Sequence, residues 1–329
     1  MKAVIINKFG GPEVLEYVDI PIPSPGPGEV LVKNVAIGVG KPDYLVRSGK
    51  YPYLRKQPPM LTIGNECAGY VETMGEGVKD IKVGMPVWVL HPPGFGAYAE
   101  YICVDKKFVH VLPEGIPPEK APGILNYFVG YALLNEVGRG TDGKSLYILG
   151  GAGGVGTALI KQALLDGWEV ISGADTPAKC EYLKKLGTTH VFNSNEVNQH
   201  DAIREFTKGR GVDLIYNQWV GPKFFDEFSM LADFGMIVVY NWLDGTPGQD
   251  FFPHMVSQAI HVSALRFFSF HVYDDKPERL AKIQEKVYNL LSSGKVTPEF
   301  HGNLPLSEVR KAHEMLDSNV IMGKLIMTP

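Results

Sequence analysis

The sequence predicts an α/β protein in which a mostly β domain is interrupted by a second domain built on a parallel sheet. The chain has 329 residues, about twice the usual domain of roughly 150 residues, so two domains are expected. Roughly the first 120 residues are rich in Gly, Pro and short β-branched runs, which is typical of antiparallel sheet. From about Ala121 onward, strand-like and helix-like segments alternate, which indicates a parallel sheet covered on both faces.

The first domain is predicted from short apolar runs separated by turn signals. The runs are Glu29–Val32, Ala68–Val71 and Pro86–Leu90, and turns are expected at 25–28 (Pro-Gly-Pro-Gly) and at Met74–Gly77. Runs of this length with intervening Gly and Pro favour a compact and mainly antiparallel arrangement.

The second domain begins with a helical stretch around Tyr127–Val137. Repeated strand, crossover and strand then predict a doubly wound parallel sheet. The predicted strands are Ser145–Leu149, Glu169–Ser172, His190–Phe192, Asp213–Tyr216 and Met236–Tyr240, and the segments predicted between them as helices are Gly156–Asp166, Ala178–Leu186, Asp201–Thr207 and Phe224–Leu231.

The end of the chain is predicted to return to the first domain. Pro277–Ser293 and Leu306–Asp317 have the pattern of amphipathic helices, and Lys324–Met327 that of a closing strand. This strand resembles the short strands of the first domain more than the apolar parallel strands. We therefore expect one domain from residues 1–122 with 265–329, and an inserted domain from residues 123–264.

Composition and charge exclude several classes of protein. Hydrophobic residues make up 45% and charged residues 21% of the chain, as in folded globular proteins. The net charge is −4 with no basic run, which argues against nucleic acid as a partner. Three scattered cysteines favour a reducing compartment, and hence the cytoplasm. No apolar run reaches the length of about 18 residues needed to span a bilayer, so no membrane segment is expected.

The strongest chemical signal is a glycine loop between a predicted strand and a predicted helix. Gly151, Gly153 and Gly156 match the pattern GxGxxG. In that setting the glycines allow a tight turn, a close approach to a pyrophosphate and close packing of helix on strand. The alternative is a flexible glycine turn without a ligand. We expect a dinucleotide to bind here, with Gly154 and Val155 of the same loop contributing.

The next predicted strand ends close to Asp175. An acidic residue about 20 residues beyond such a loop accepts hydrogen bonds from the adenosine ribose and repels a 2′-phosphate, which favours NADH over NADPH. Lys179 is the counter-signal, because its ammonium could neutralise a 2′-phosphate, although it could also be a solvated lysine of a helix. We therefore expect NADH or NADPH, with NADH favoured.

Motifs along the whole chain resemble the medium-chain dehydrogenase/reductase superfamily, and within it the zinc-independent quinone oxidoreductase branch of zeta-crystallin-like proteins. The segments that carry the resemblance are MKAVIINKFGGPEVLEY, PIPSPGPGEVLVK, AIGVGKPDYLVRSGKYP, GEGVKDIKVGMPV, GAYAEYICV, GGAGGVG, TKGRGVDLIY and GKLIMTP. The resemblance implies a GroES-like substrate domain with an inserted Rossmann domain. It also implies reduction of quinones or α,β-unsaturated carbonyls with NAD(P)H.

The resemblance also predicts that no metal takes part. Zinc-dependent members of the superfamily have a catalytic Cys near Gly40 and a His at Asn65, and neither residue here is a zinc ligand. Without a Lewis acid, hydride addition suits a conjugated acceptor, because such an acceptor spreads the developing negative charge itself.

Several positions depart from the pattern of the quinone oxidoreductases. Gly40 stands where the family has Asn, and Asn126 and Val129 stand where it commonly has Gln and Thr. The family's Ser aligns with Asp175, which again favours NADH. Trp219 occupies the segment where the family has Asp-Ser-Val-Gly-Gly, so we expect an atypical acceptor.

Candidate residues for the acceptor are Tyr44, Tyr51 and Asn65, with Asp43 in support. A tyrosine hydroxyl or the Asn65 amide would donate a hydrogen bond to the substrate carbonyl. The alternatives are that the tyrosines only pack at a domain edge and that Asp43 caps a helix.

Two residues beyond the glycine loop are also assigned to the cofactor. These are Asn241 and Phe267, and for Phe267 core packing is the alternative. A homodimer is expected from the resemblance, formed through Met236–Tyr240 and Trp242. Two other functions stay open: a 2-enoyl thioester or acrylate-type reductase, and a nucleotide-binding protein with little catalytic activity.

Overall fold

The computed structural model describes residues 1–54, 56–90, 96–141, 143–243, 245–248 and 250–329. They form two compact units. The first contains Met1–Leu125 and Tyr288–Pro329, and the second contains Asn126–Val287. Within the described ranges, every helix is too short or too polar to cross a lipid bilayer.

The elements alternate along the chain much as the residue patterns predict. In chain order they are β1 (Lys2–Ile6), β2 (Glu16–Asp19), β3 (Glu29–Val39), α1 (Lys41–Arg47), β4 (Leu61–Thr62), β5 (Glu66–Met74), β6 (Pro86–Leu90), β7 (Tyr101–Asp105), β8 (Val109–Val111), α2 (Ile124–Ala132), β9 (Ser145–Ile148), α3 (Gly154–Leu165), β10 (Glu169–Ala174), α4 (Pro177–Lys185), β11 (His190–Asn193), α5 (Gln199–Phe206), β12 (Val212–Asn217), β13 (Leu231–Val239), α6 (Phe251–Gln258), β14 (Ala264–Phe267), α7 (Pro277–Ser292), β15 (Phe300–Pro305), α8 (Val309–Asp317) and β16 (Lys324–Thr328). A 3₁₀ helix, Phe224–Met230, connects β12 to β13.

The first unit is built on a mainly antiparallel sheet with strand order β15-β16-β3-β5-β6-β8, in which β7 also pairs with β3 and β15 pairs in parallel with β16. A smaller sheet has the order β2-β1-β4. Inward-facing residues of β3, such as Val30, Val32 and Ile37, are buried in the core of this unit. The closing strand β16 pairs antiparallel with β3, so the end of the chain is part of this unit.

The second unit is built on a parallel sheet with strand order β11-β10-β9-β12-β13-β14. Every residue of β12 is buried, as expected when helices cover both faces of a parallel sheet. The strand order reverses beside β9, and ligands of such sheets bind at the carboxyl ends of the strands at that point. The predicted α/β fold class is confirmed.

Two predictions about this unit are wrong. Strand β14 pairs with β13, and the unit continues to Val287, so the boundary predicted after residue 264 lies inside a strand. The strand predicted to form the dimer, Met236–Tyr240, corresponds to β13, which has β12 on one side and β14 on the other. Because β14 was not recognised, an interior strand was mistaken for an edge strand.

We predict that Gly69→Ala destabilises the first unit. A methyl group on Gly69 would overlap the backbone carbonyl of Lys33 on the neighbouring strand β3, so the two strands would have to separate. The expected loss in the free energy of unfolding is about 1–3 kcal/mol, measured by urea denaturation. Gly302→Ala is the matched control, because that strand glycine has open space around it. A control as unstable as Gly69→Ala would contradict this explanation.

Candidate functional site

The glycine loop connects β9 to α3 as the sequence predicts. Gly153 has an extended backbone and immediately precedes α3, and its amide donates a hydrogen bond to Gly150 O over 3.0 Å. A methyl group on Gly156 would overlap Gly150 O and come within 2.6 Å of Gly151 Cα. The start of α3 therefore lies directly against the loop, and only glycine at this position permits the contact.

Gly153, the position at which a pyrophosphate would approach the backbone most closely, has open space beside its Cα. A methyl group on Gly153 would meet only Gly150 O, at 3.4 Å. Gly153, Gly154 and Val155 are all half-buried at the first turn of α3. Amides at the beginning of a helix, together with the helix dipole, favour an anion. The free space beside Gly153 and the amides at the start of α3 are the features that a pyrophosphate site requires.

Side chains from two other elements surround this loop. A methyl group on Gly154 would overlap Asn126 Nδ2, and one on Gly150 would overlap Gln218 Nε2 and lie 3.0 Å from Trp219 Nε1. Asn126 is on α2, and Gln218 and Trp219 directly follow β12. The sequence analysis noted Asn126 and Trp219 only as departures from a pattern and did not consider Gln218. A signal was available, since Gln218 closely follows the predicted strand Asp213–Tyr216, and ligands of parallel sheets bind at the carboxyl ends of the strands.

The two residues that bear on the choice of coenzyme form an ion pair. Lys179 Nζ lies 2.7 Å from Asp175 Oδ1, at the carboxyl end of β10. Lys179 is buried, whereas the Asp175 side chain is 47% exposed. Thr176 caps α4 by accepting a hydrogen bond from the Lys179 amide. Neither charge therefore acts alone at this strand end.

A buried charged cluster lies at one end of the sheet of the first unit. Strand β3 ends close to Gly40, β5 begins at Glu66, and β16 begins at Lys324. The Lys324 ammonium contacts Glu66 Oε1, and Glu66 Oε2 accepts a hydrogen bond from the Gly123 amide over 3.1 Å. Lys324 Nζ would also be 3.4 Å from a methyl group on Gly40. Neither Glu66 nor Lys324 was among the site residues predicted from the sequence.

Asp43 belongs to the same end of the sheet and caps α1. Its Oδ2 accepts a hydrogen bond from the Gly40 amide over 2.8 Å, which confirms the alternative stated for this residue. Burial raises the pKa of Asp43 to about 6, and the nearby Lys324 ammonium opposes that rise. Asp43 Oδ1 has no hydrogen-bond partner in the part of the chain that the structure describes.

Helix α1 is fastened to α8 by a buried polar chain. Arg47 binds both carboxylate oxygens of Asp317 at 2.9 Å and lies 3.2 Å from His313 Nδ1. His313 Nε2 is in turn 3.2 Å from the Tyr98 hydroxyl. Burial lowers the pKa of His313 to about 3, so the imidazole is neutral and its Nδ1 accepts from Arg47. This chain fixes the helix that carries Asp43 and Tyr44.

The other predicted acceptor residues lie on or beside this framework. The Tyr44 ring packs between Lys41 and Arg47, with Nζ and Cζ at 5.6 and 5.4 Å from the ring centroid. Tyr44 and Tyr51 are partly buried against the core of the first unit. Asn65 is half-buried and directly precedes Glu66. Asp43 and Asn65 thus come to the same end of the sheet, whereas both tyrosines also have a packing role.

Two residues assigned to the cofactor lie near the carboxyl ends of β13 and β14. Asn241 is half-buried, and its Oδ1 accepts a hydrogen bond from the Trp242 amide over 2.9 Å. Phe267 is 72% exposed on β14, so its interpretation as a core residue is wrong. Among the described residues, no group of three or more His, Cys, Asp or Glu side chains could hold a metal ion.

Family models match most of both units. Residues 26–114 match the alcohol dehydrogenase GroES-like domain, and residues 154–285 match the zinc-binding dehydrogenase model. The chain also matches phthioceranic/hydroxyphthioceranic acid synthase of Mycobacterium tuberculosis with 30% identity over 92% of its own residues, but spans only 14% of that protein.

Full-length similarity extends to smaller proteins. The chain is 29% identical to quinone oxidoreductase of Pseudomonas aeruginosa, covering 100% of this chain and 99% of the relative. It is 27% identical to 2-haloacrylate reductase of a Burkholderia species, covering 99% and 98%. The crystal structure of Escherichia coli quinone oxidoreductase complexed with NADPH matches with a TM-score of 0.91, at 26% identity over 100% of both chains.

We predict that Lys324→Met destabilises the protein by about 3–5 kcal/mol, because it leaves the Glu66 carboxylate buried without its partner. The double variant Lys324→Met with Glu66→Gln should recover most of that loss, since no unpaired charge then remains. Urea denaturation at neutral pH measures both effects. A double variant that is less stable than Lys324→Met would show that the ion pair is not the source of the loss.

Proposed function

Because the chain belongs to the quinone oxidoreductase branch of the medium-chain dehydrogenase/reductase superfamily, we propose that it is an NAD(P)H-dependent reductase. It would transfer a hydride to a quinone or to an α,β-unsaturated carbonyl. The observation that carries this proposal is the glycine loop, in which Gly156 permits the close contact with α3 and Gly153 leaves space for a pyrophosphate. The Escherichia coli quinone oxidoreductase structure, which is a complex with NADPH, supports the same cofactor class.

The residues around the loop fit a dinucleotide. Amides of Gly154 and Val155 at the start of α3 would bind the pyrophosphate, and the Asn126 side chain beside Gly154 would add a donor. At the end of β10, Asp175 or Lys179 would contact the adenosine ribose. Asn241 and Phe267 stay predictions for the nicotinamide side. The bound dinucleotide would supply the hydride.

The acceptor would bind at the end of the sheet that carries Asp43 and Asn65. The Asn65 amide or a tyrosine hydroxyl, from Tyr44 or Tyr51, would donate a hydrogen bond to the substrate carbonyl and stabilise the developing negative charge. The buried ion pair of Lys324 and Glu66 would keep this end of the sheet fixed. We propose that no zinc takes part, since Gly40 and Asn65 provide no ligand.

A second candidate is reduction of an acrylate or a 2-enoyl thioester. The match to 2-haloacrylate reductase over nearly the whole of both chains favours it, and hydride addition to a conjugated double bond is the same chemistry. The third interpretation, a nucleotide-binding protein with little catalytic activity, would apply if a dinucleotide binds without turnover.

We also propose that the protein acts in the cytoplasm as a homodimer. The edge strand is β14, and apolar side chains exposed on and near it support a contact with a second copy. These side chains are Phe252, Val256, Ile260 and Phe267, which are 64, 58, 81 and 72% exposed.

The proposed function predicts oxidation of NADH or NADPH by members of an acceptor panel of quinones, enones, acrylates and an enoyl-CoA. Absorbance at the reduced-nicotinamide band measures turnover, and Gly153→Ala serves as the diagnostic variant. Its methyl group has space in the fold, so the melting temperature should not change, but it would displace the pyrophosphate and weaken coenzyme binding by about tenfold or more. Normal affinity in Gly153→Ala would contradict binding at this loop.

The ion pair at the end of β10 predicts how the two coenzymes are distinguished. Lys179→Ala should weaken NADPH binding by about threefold to tenfold relative to NADH, because it removes the cation nearest to a 2′-phosphate. Asp175→Ala should have the opposite effect, because the ribose of NADH loses its acceptor. Dissociation constants from fluorescence titration test both. Equal effects on the two coenzymes would place the adenosine ribose elsewhere. The preference for NADH expected from the sequence stays a prediction.

A further inference from the structure

A buried carboxylate in the second unit has no role in the proposed chemistry. Glu227 lies in the 3₁₀ helix Phe224–Met230 and is only 5% exposed. Its Oε1 and Oε2 lie 2.7 and 2.8 Å from Asn217 Nδ2, and Asn217 is fully buried at the end of β12. A buried carboxylate costs free energy of folding when no cation lies beside it. The hydrogen bonds that Glu227 accepts from Asn217 therefore matter, because they determine how the Asn217 amide is oriented.

The Glu227 carboxylate fixes the orientation of the Asn217 amide. With Nδ2 donating to Glu227, Asn217 Oδ1 points away and accepts a hydrogen bond from the Trp219 amide. The same turn is held by two further backbone bonds, from the Tyr240 amide to Asn217 O over 3.0 Å and from the Leu243 amide to Gln218 O over 2.9 Å. The conformation of residues 217–219 therefore depends on a side-chain amide that Glu227 orients.

This turn is the one that contacts the glycine loop. Gln218 Nε2 lies 3.4 Å from Leu149 O, and both Gln218 Nε2 and Trp219 Nε1 lie beside Gly150. Both side chains are half-buried. Two N–H-bearing groups are thus brought to the loop on its β12 side, where the carboxyl ends of β9 and β12 meet at the ligand-binding end of the sheet.

We propose that Glu227 is a positioning residue for the dinucleotide: through Asn217 it holds Gln218 and Trp219 against the glycine loop, and it thereby sets the affinity for the coenzyme. This inference rests on the proposed function, because it requires that a dinucleotide binds at the loop. It adds a residue that touches neither coenzyme nor acceptor and acts on binding only through its neighbours.

Protonation of Glu227 near neutral pH would weaken its hold on the Asn217 amide, and so the positioning of Gln218 and Trp219 at the loop. Burial raises the pKa of Glu227 to about 7, while its hydrogen bond from Asn217 opposes the rise. Above that pH the carboxylate accepts from Asn217 with either oxygen, and below it one oxygen carries a proton and no longer accepts. Coenzyme affinity should therefore fall as the pH decreases through 7.

The stability of the fold should respond in the opposite direction. A carboxyl group whose folded-state pKa lies above its unfolded value contributes stability at low pH, which is lost as the pH rises through the folded-state pKa. Acidification from pH 8 to pH 6 should thus raise the contribution of Glu227 to stability and lower coenzyme affinity. A carboxyl group with only a structural role would change the stability of the fold with pH but not the coenzyme affinity.

Other ionisable groups near Glu227 are few among the described residues. Asp226 on its own segment raises its pKa, and Tyr147 on β9 is the other group on which its charge acts. His200 on α5 interacts with Ser229 Oγ over 2.9 Å, and His254 on α6 stacks on Phe225. Comparison of the wild type with Glu227→Gln isolates the effect of Glu227 from any effect of these neighbouring groups.

The experiment measures the dissociation constant of NADH between pH 6 and pH 8.5 by fluorescence titration. NADH is used because it lacks the 2′-phosphate of NADPH, which itself titrates near pH 6. The wild type should bind NADH about threefold to tenfold more weakly at pH 6 than at pH 8, the equivalent of one hydrogen bond. Glu227→Gln should bind at pH 8 as the wild type does at pH 6, with a flat profile. Glu205→Gln, an exposed glutamate on α5, is the matched control and should reproduce the wild-type profile.

A second variant keeps the inference testable if Glu227→Gln does not fold. Gln218→Ala should weaken NADH binding at pH 8 with a wild-type melting temperature, and where both fold, the double variant should bind no more weakly than the weaker single variant. Wild-type affinity and pH profile in Glu227→Gln, or wild-type affinity in Gln218→Ala, would overturn the inference while leaving the proposed function intact. A wild-type protein that binds neither NADH nor NADPH would instead overturn the proposed function.

Discussion

The arrangement of the second unit depends on the contact between the beginning of α3 and the loop that precedes it. Gly156 lies so close to Gly150 and Gly151 that any side chain would collide with the backbone. This contact sets where α3 starts and therefore where its free amides point. The end of β9 lies beside the turn after β12 because these two strands pair, and Gln218 of that turn reaches Gly150. A larger residue at position 156 would displace α3 from the loop.

Much of this unit could be predicted from local pattern. The glycine loop, its flanking strand and helix, and the following strand were expected within a few residues of their positions. They are encoded by periodicity and glycine spacing, which act over short stretches of chain. Strand β14 was not expected because its four residues, Ala264–Phe267, include an arginine and two exposed positions and carry no clear strand signal. That single omission produced both the wrong boundary and the wrong edge strand.

The polar pairs that the sequence analysis missed join residues far apart in the chain. Lys324 meets Glu66 only because β16 pairs with β3 and β3 pairs with β5. Arg47 meets His313 because α1 packs on α8. No spacing rule relates such residues, since the register of a sheet depends on the whole hydrophobic pattern and not on the polar residues themselves. Asp43 and Asn65 were chosen as candidates from motifs, and the structure brings them to one end of a sheet, beside charges that no motif predicts.

Two buried carboxylates, Glu66 and Glu227, illustrate two solutions to the same physical problem. Glu66 is compensated by the Lys324 ammonium, which holds the charge at a fixed place and makes the pair a rigid part of the sheet. Within the described part of the chain, the group that compensates Glu227 is an amide, and a dipole stabilises a charge much less than an ion does. Burial therefore raises the pKa of Glu227 to about 7, within the range where a cell's pH can change its charge. A group that serves only to stabilise the fold would be better replaced by a neutral one. Under the proposal above, the charged form has a further role, because it orients Asn217 and, through it, the residues that contact the glycine loop.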